Sequence, residues 1–305
     1  MKSVRTLTEH LMDYAGLFPP AGLAMGPVVE RYASYLVDTE AAMLGRLVVP
    51  AARLDEFEDA ARGVLPTRAD DEPWRISALL PPAGDGALDG AVDRVVSFNE
   101  SHKDAAAGLA VVDAVELRGN EPAAIDASVG AIPAEIRVFV ELPADPDPRG
   151  LIAAVKSAEA CAKIRCGGIT PELIPPVEHV ARFIHACAAS RTPFKATAGL
   201  HHPLRSEHAL TYETDAPRGV MHGFLNVVLA AACAMHDGSL TPDDLAAVLG
   251  ATDLGAFGFG ETGVVALGHE IAREEIAVCR EHLFISIGSC SFTEPRDDLR
   301  GLGLL

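Results

Sequence analysis

The chain has 305 residues, 49% of them hydrophobic and 22% charged. That is enough apolar material for a large buried core and excludes global disorder. Acidic residues number 43 against 25 basic ones, a net charge of −18, so general binding to nucleic acid or to an anionic membrane is not expected. The length fits two domains or one α/β barrel with extensions. Lysine is scarce: Lys2, Lys103, Lys156, Lys163 and Lys195 are the only five.

Taken in chain order, residues 1–16 hold no long apolar run, and no signal peptide is read there. Short β-rich runs follow at 46–50 (RLVVP), 75–80 (RISALL), 111–117 (VVDAVEL), 136–142 (IRVFVEL), 162–166 (AKIRC) and 194–198 (FKATA). Most are apolar throughout, as parallel strands covered on both faces require. Helical patterns fill 52–62, 88–101, 148–159 and 175–189. The segment 220–235 reads as a strand running into a helix or as one buried helix. Residues 241–249 (TPDDLAAVL) read as a helix capped by Thr241 with Pro242 in its first turn. A hairpin is expected within 256–267, an amphipathic helix over 269–282 and a strand at 283–287. Counting one strand near residue 222 gives eight. The expected fold is a (β/α)8 TIM barrel over 44–305, a single domain with an elaborated C-terminal third, and residues 1–43 form an N-terminal extension across one end. The longest apolar stretch, 227–235, is too short to span a membrane. The six cysteines show no C-x-x-C spacing and read as reduced thiols of a cytoplasmic protein. Assembly into a homo-oligomer is compatible with all of this.

In a TIM barrel, polar residues late in the strands line the active site. Here they are Glu116 and Arg118, Glu141, Lys163 and Arg165, then Lys195 and Thr197. Residues two apart share a face of a strand, so Lys163 sides with Arg165 and Lys195 with Thr197. A buried lysine is costly unless paired or neutral. The plain reading is buried salt bridges from Lys163 or Lys195 to Glu116 or Glu141. The catalytic reading is that one lysine forms a Schiff base with a carbonyl substrate, the other holds its pKa down, and a carboxylate relays protons.

Five segments, in order, resemble the deoxyribose-phosphate aldolase group of class I aldolases. Residues 12–21 (MDYAGLFPPA) are similar to the family's opening Asp-His-Thr-Leu-Leu-Lys-Pro motif, and 48–54 (VVPAARL) to its first-strand Cys-Val-Asn-Pro. Residues 113–120 (DAVELRGN) resemble the strand of its catalytic aspartate and place Glu116 there. Residues 162–168 (AKIRCGG) sit where Lys-Thr-Ser-Thr-Gly would be, and 195–200 (KATAGL) where Lys-Ala-Ser-Gly-Gly-Ile would be. The resemblance implies a TIM barrel, a cofactor-free Schiff base on Lys163 with Lys195 as the second lysine, and a small carbonyl substrate. It departs from the family in Glu for Asp at 116, in Ile-Arg-Cys after Lys163, and in lacking a clear Gly-rich phosphate turn near 222–226.

Four of eleven histidines (His201, His202, His208, His222) fall within 22 residues, beside Arg205. Read as functional, His201, His202, Arg205, His222 and Asn226 join Arg118, Arg165 and Thr197 in binding an anionic or polar substrate group. An alternative is a divalent metal such as zinc on His201, His202 and Glu141, in a hydrolase, isomerase or lyase. A further alternative is a barrel that binds a ligand without catalysis. The plain readings are a solvated loop for the histidines and a hydrogen-bonded helix end for His222 and Asn226. Cys290 reads as a nucleophile or a small core residue, the latter favoured, and Asp145 and Asp147 as solvated surface. Between residues 161 and 205 lie six basic residues and two acidic ones, which points to a small cationic pocket inside an acidic shell.

Overall fold

The computed structural model describes residues 1–144 and 146–305; Asp145 lies outside the described residues. In chain order the elements are α1 (Lys2–Thr8), β1 (Met12–Tyr14), α2 (Met25–Tyr35), β2 (Leu44–Pro50), α3 (Leu54–Ala61), β3 (Trp74–Leu79), α4 (Leu88–Ser101), β4 (Ala110–Arg118), α5 (Pro122–Gly130), β5 (Arg137–Glu141), α6 (Arg149–Ser157), β6 (Cys161–Arg165), α7 (Val177–Ser190) and β7 (Phe194–Thr197). There follow β8 (Ser206–Ala209), β9 (Arg218–Met221), α8 (Phe224–His236), α9 (Pro242–Gly250), β10 (Phe257–Phe259), β11 (Gly263–Ala266), β12 (His269–Ala272), α10 (Arg273–His282), β13 (Phe284–Ser289) and α11 (Thr293–Gly301).

Eight parallel strands close into a barrel in the order β1-β13-β7-β6-β5-β4-β3-β2. This is the TIM barrel read from the sequence, with one correction. The strand expected near residue 222 is not in it. Arg218–Met221 pairs antiparallel with Ser206–Ala209 in a two-stranded hairpin instead. The missing strand is Met12–Tyr14, inside the segment expected to be an extension, and it closes the barrel between β13 and β2. Beyond the hairpin, the elaborated C-terminal third carries helix α8, buried almost all round, a capped α9 with Thr241 and Asp244 in a reciprocal capping box, and a small antiparallel sheet of β10, β11 and β12. Residues 269–272, expected as helix, are the last strand of that sheet.

The main core lies between the strands and the surrounding helices. A second, small apolar cluster of Ala114, Phe139, Cys161 and Ile285 fills the barrel interior. Ala114, Phe139 and Cys161 stand two residues before Glu116, Glu141 and Lys163. The period-2 alternation of the strands therefore stacks a polar layer directly on an apolar plug, toward the C-terminal ends of the strands. No helix among the described residues is long and apolar enough to cross a membrane.

Candidate active site

The register of the central strands builds the site. Glu141 lies beside Lys163 across β5 and β6, and Lys163 beside Lys195 across β6 and β7. Lys163 Nζ sits 2.6 Å from Glu116 Oε2 and 2.8 Å from Glu141 Oε2. Lys195 Nζ sits 2.7 Å from Glu116 Oε1 and 2.5 Å from Asp13 Oδ2. Glu116 is thus shared by both ammonium groups. Ser77 donates to its Oε1 (2.8 Å) and Ser286 to Asp13 Oδ2 (2.7 Å), while the Arg46 amide donates to Asp13 Oδ1 (2.8 Å). Lys195 also lies over the Phe139 ring, 5.1 Å from its centroid.

The lysines bear out the plain reading. They do form buried salt bridges, and they do converge. Their surroundings differ, however. Lys163 lines a cavity of about 310 Å³ at the barrel mouth, whereas Lys195 is completely buried beneath it and does not line it. Burial opposes the charge on Lys195, but Asp13 and Glu116 outweigh it and raise its pKa. Burial likewise opposes ionisation of Glu116, and the two lysines overcome it, holding the carboxyl well below the usual carboxylate range. The charge of Lys195, expected to hold the pKa of Lys163 down, is matched within the network. Three carboxylates, from β1, β4 and β5, face the two ammonium groups of the buried network, while the cavity lining itself carries Lys163, Arg165 and His201 beside Glu116.

The rest of the cavity wall is mostly apolar, with Phe18, Pro19, Leu79, Ile169, Leu210 and Met221 among its lining. Leu210 and Met221 belong to the β8–β9 hairpin and the turn joining its strands, so this insertion covers part of the mouth. The turns after β6 and β7 meet backbone to backbone. A Cβ on Gly167 would lie 2.9 Å from the Gly199 Cα, and Gly199 has φ +70°, so both positions need glycine. Thr197 lines the cavity with its hydroxyl unpartnered. Arg165 lines it from the rim and makes no ion pair among the described residues.

The remaining expected residues separate. Arg118 joins Glu141 and Arg165 in a neighbouring cleft of about 730 Å³. His201 lines the main cavity, 3.3 Å from Glu294 Oε2 and 3.8 Å from Cys290 Sγ. His202 instead lies 2.6 Å from Asp298 Oδ2 and stacks on His208 with ring centroids 3.4 Å apart, fastening the hairpin to α11. His222 bonds the Pro175 carbonyl at 2.9 Å. The Asn226 amide donates to the Val248 and Ala251 carbonyls, both at 2.8 Å, and accepts from the Arg205 amide at 3.1 Å. His202, Arg205, His222 and Asn226 do not line the cavity, and for His222 and Asn226 the plain reading holds. His201, His202 and Glu141, offered as metal ligands, each have a different partner. Among the described residues no three His, Cys, Asp or Glu side chains group to hold a metal ion. Asp13 is the network member the sequence reading missed.

Burial opposes a charged His201, yet Cys290 and Glu294 raise its pKa to about 10 from 6.5. A group raised on folding stabilises fully below its unfolded pKa and loses that contribution as pH rises to the folded one. Folding stability is therefore expected to fall between about pH 6.5 and pH 10, by at most about 5 kcal/mol. Urea melts across that range measure it. His201→Asn should remove the slope, and an unchanged slope in the variant would assign it to another group.

No protein-family model matches the chain, and no curated protein does. Among solved structures it is similar to a phosphoenolpyruvate phosphomutase from Streptomyces platensis subsp. rosaceus, at 13% identity over 81% of this chain and 77% of that one, with a TM-score of 0.35.

Proposed function

We propose that this barrel is an aldolase-like carbon–carbon lyase that takes a small carbonyl compound onto Lys163 as a Schiff base, without metal or other cofactor. The observation that carries this reading is the contrast between the two lysines. Lys163 lines the cavity and holds its amine within 2.8 Å of two carboxylates, while Lys195 is completely buried and pairs with Glu116. The ordered resemblance to the deoxyribose-phosphate aldolase group supports the same assignment.

Lys163 must give up a proton before it attacks, and Glu141 is placed to take it. The free amine adds to the carbonyl carbon and the carbonyl oxygen is protonated. The carbinolamine then loses water to give an iminium. The Cα–Cβ bond then breaks as the β-hydroxyl gives its proton to Glu141 and departs as an aldehyde. The released pair turns the iminium into an enamine, which Glu141 protonates at Cα, and water hydrolyses the resulting iminium to free the second product and Lys163. Thr197 offers a hydroxyl to a polar group of the substrate, and Arg165, unpaired at the rim, suits an anionic one. We place the enzyme in the cytoplasm, where its six unpaired cysteines would stay reduced.

Borohydride trapping with a panel of small aldehydes and 2-oxoacids, followed by peptide mapping, tests the reading. One reduced adduct is expected, on Lys163. No adduct with any member, or an adduct on Lys195, would sink the assignment.

A further inference from the structure

Cys290 is set apart from the other five cysteines. It follows β13 directly and lines the catalytic cavity. None of the others lines it, and burial pushes their thiols up, Cys166, Cys233 and Cys279 to about 12. Cys290 Sγ lies 3.9 Å from His201 Nδ1 and 3.8 Å from Nε2, and the Tyr212 hydroxyl is 3.9 Å away. Tyr212 donates to Glu294 Oε2 at 3.0 Å, and that carboxylate lies 3.3 Å from His201 Nδ1. Glu294 and the histidine thus form a charged pair, with the sulfur within 3.9 Å of both ring nitrogens. The nearby Thr197 hydroxyl is nine-tenths buried, has no partner and lines the same cavity, an unused donor for a ligand oxygen.

We propose that Cys290 is a second covalent site in this cavity, taking α,β-unsaturated carbonyl compounds small enough to enter it. The inference does not rest on Lys163: an amine attacks a carbonyl carbon, whereas a thiol attacks the softer β-carbon of a conjugated system. The sulfur forms a bond to that β-carbon, and the π pair moves toward the carbonyl oxygen, within reach of a donor such as Thr197. The sulfur attacks as the thiolate, its proton released to water; the His201 imidazolium gives a proton to the α-carbon and is reprotonated from water. The product is a saturated thioether; nothing leaves and no oxidant is consumed. The His201 imidazolium stabilises the negative charge on sulfur during attack.

N-ethylmaleimide at one equivalent, added to the full-length protein at neutral pH, is the probe. Peptide mapping should find one adduct, on Cys290, and Cys290→Ser should take up none in the native state. His201→Asn, checked for fold by circular dichroism, should label about tenfold more slowly or worse. A maleimide carrying a pyrene group should be excluded by a cavity of about 310 Å³. An adduct on another cysteine, no adduct, or equal labelling by the bulky reagent would overturn the proposal. So would an unchanged rate in His201→Asn. If that variant does not fold, Glu294→Gln, at the outer end of the pair, serves instead: labelling about threefold slower is expected, and an unchanged rate counts against the proposal. A failed borohydride trap would leave this result standing, so the two readings fail separately.

Discussion

Lys195→Met should destabilise the protein by about 3–5 kcal/mol, the cost of leaving a buried charge without its partner. The reason is geometric. Lys195 is fully buried, and among the described residues its ammonium group is the only cation within ion-pairing distance of Asp13. Removing it leaves Asp13, itself buried, with only the Ser286 hydroxyl and the Arg46 amide, and Glu116 with Lys163 as its one remaining cation. Water from the cavity cannot readily repair this, because Lys195 lies beneath the cavity floor. The acid limb of the stability curve carries a second signature. Glu116 is held far below its ordinary pKa of 4.5, so its contribution is present above that value and is lost as pH falls below it. Without Lys195 one of the two causes of that depression is gone, and acid unfolding should begin at higher pH. Urea melts at pH 7 and at pH 4 measure both effects. Pairing the substitution with Asp13→Asn should recover part of the loss, since the two sites share one interaction. A cost below about 1 kcal/mol, the range of an exposed pair, would mean the network is hydrated and the buried-charge account is wrong.

The strands that carry this network were legible because parallel strands read as short apolar runs, and an alternation of 2 sets which residues face inward. Glu116, Glu141, Lys163 and Lys195 follow from position along β4, β5, β6 and β7 alone. Asp13 did not follow, because β1 has only three residues and no apolar run frames it. It is held in the barrel by pairing with β13 and β2, which are distant in the chain. The counter-charges of the two lysines were missed for a related reason. The basic excess between residues 161 and 205 is real, but its counter-charges arrive from β1, β4 and β5, and a window along the sequence cannot see across a closed barrel. The histidine-rich stretch failed in the opposite way. Its members are close in sequence yet the fold deals them to separate partners: Glu294, Asp298, Ser206 and the Pro175 carbonyl. Only His201 reaches the cavity, and its partners Glu294 and Cys290 come from the far end of the chain.

Lys163 should behave unlike Lys195 when it is replaced. In Lys163→Met, Glu116 keeps Lys195 and Ser77, and Glu141 lines the neighbouring cleft, where water can solvate it. The stability cost is therefore expected to stay near 1–3 kcal/mol, as for a single polar group losing a partner. Chemistry should suffer far more. If the amine is the nucleophile, no other group in the cavity can form the iminium, and the rate with any aldehyde that traps on the wild-type protein should fall by about 10³-fold or more. Lys163→Arg separates charge from nucleophilicity: it keeps a cation between Glu116 and Glu141 but cannot form a Schiff base, so it should fold well and remain inactive. Glu141→Gln keeps the amine and removes the proton acceptor, and should slow imine formation by about 10²-fold without abolishing the trapped adduct. Single-turnover imine formation, read by absorbance and by mass after reduction, distinguishes the three variants. An active Lys163→Arg would show that Lys163 serves only as a counter-charge. The buried salt bridges would then be the whole purpose of the network, and the cavity above it a ligand site without a covalent step.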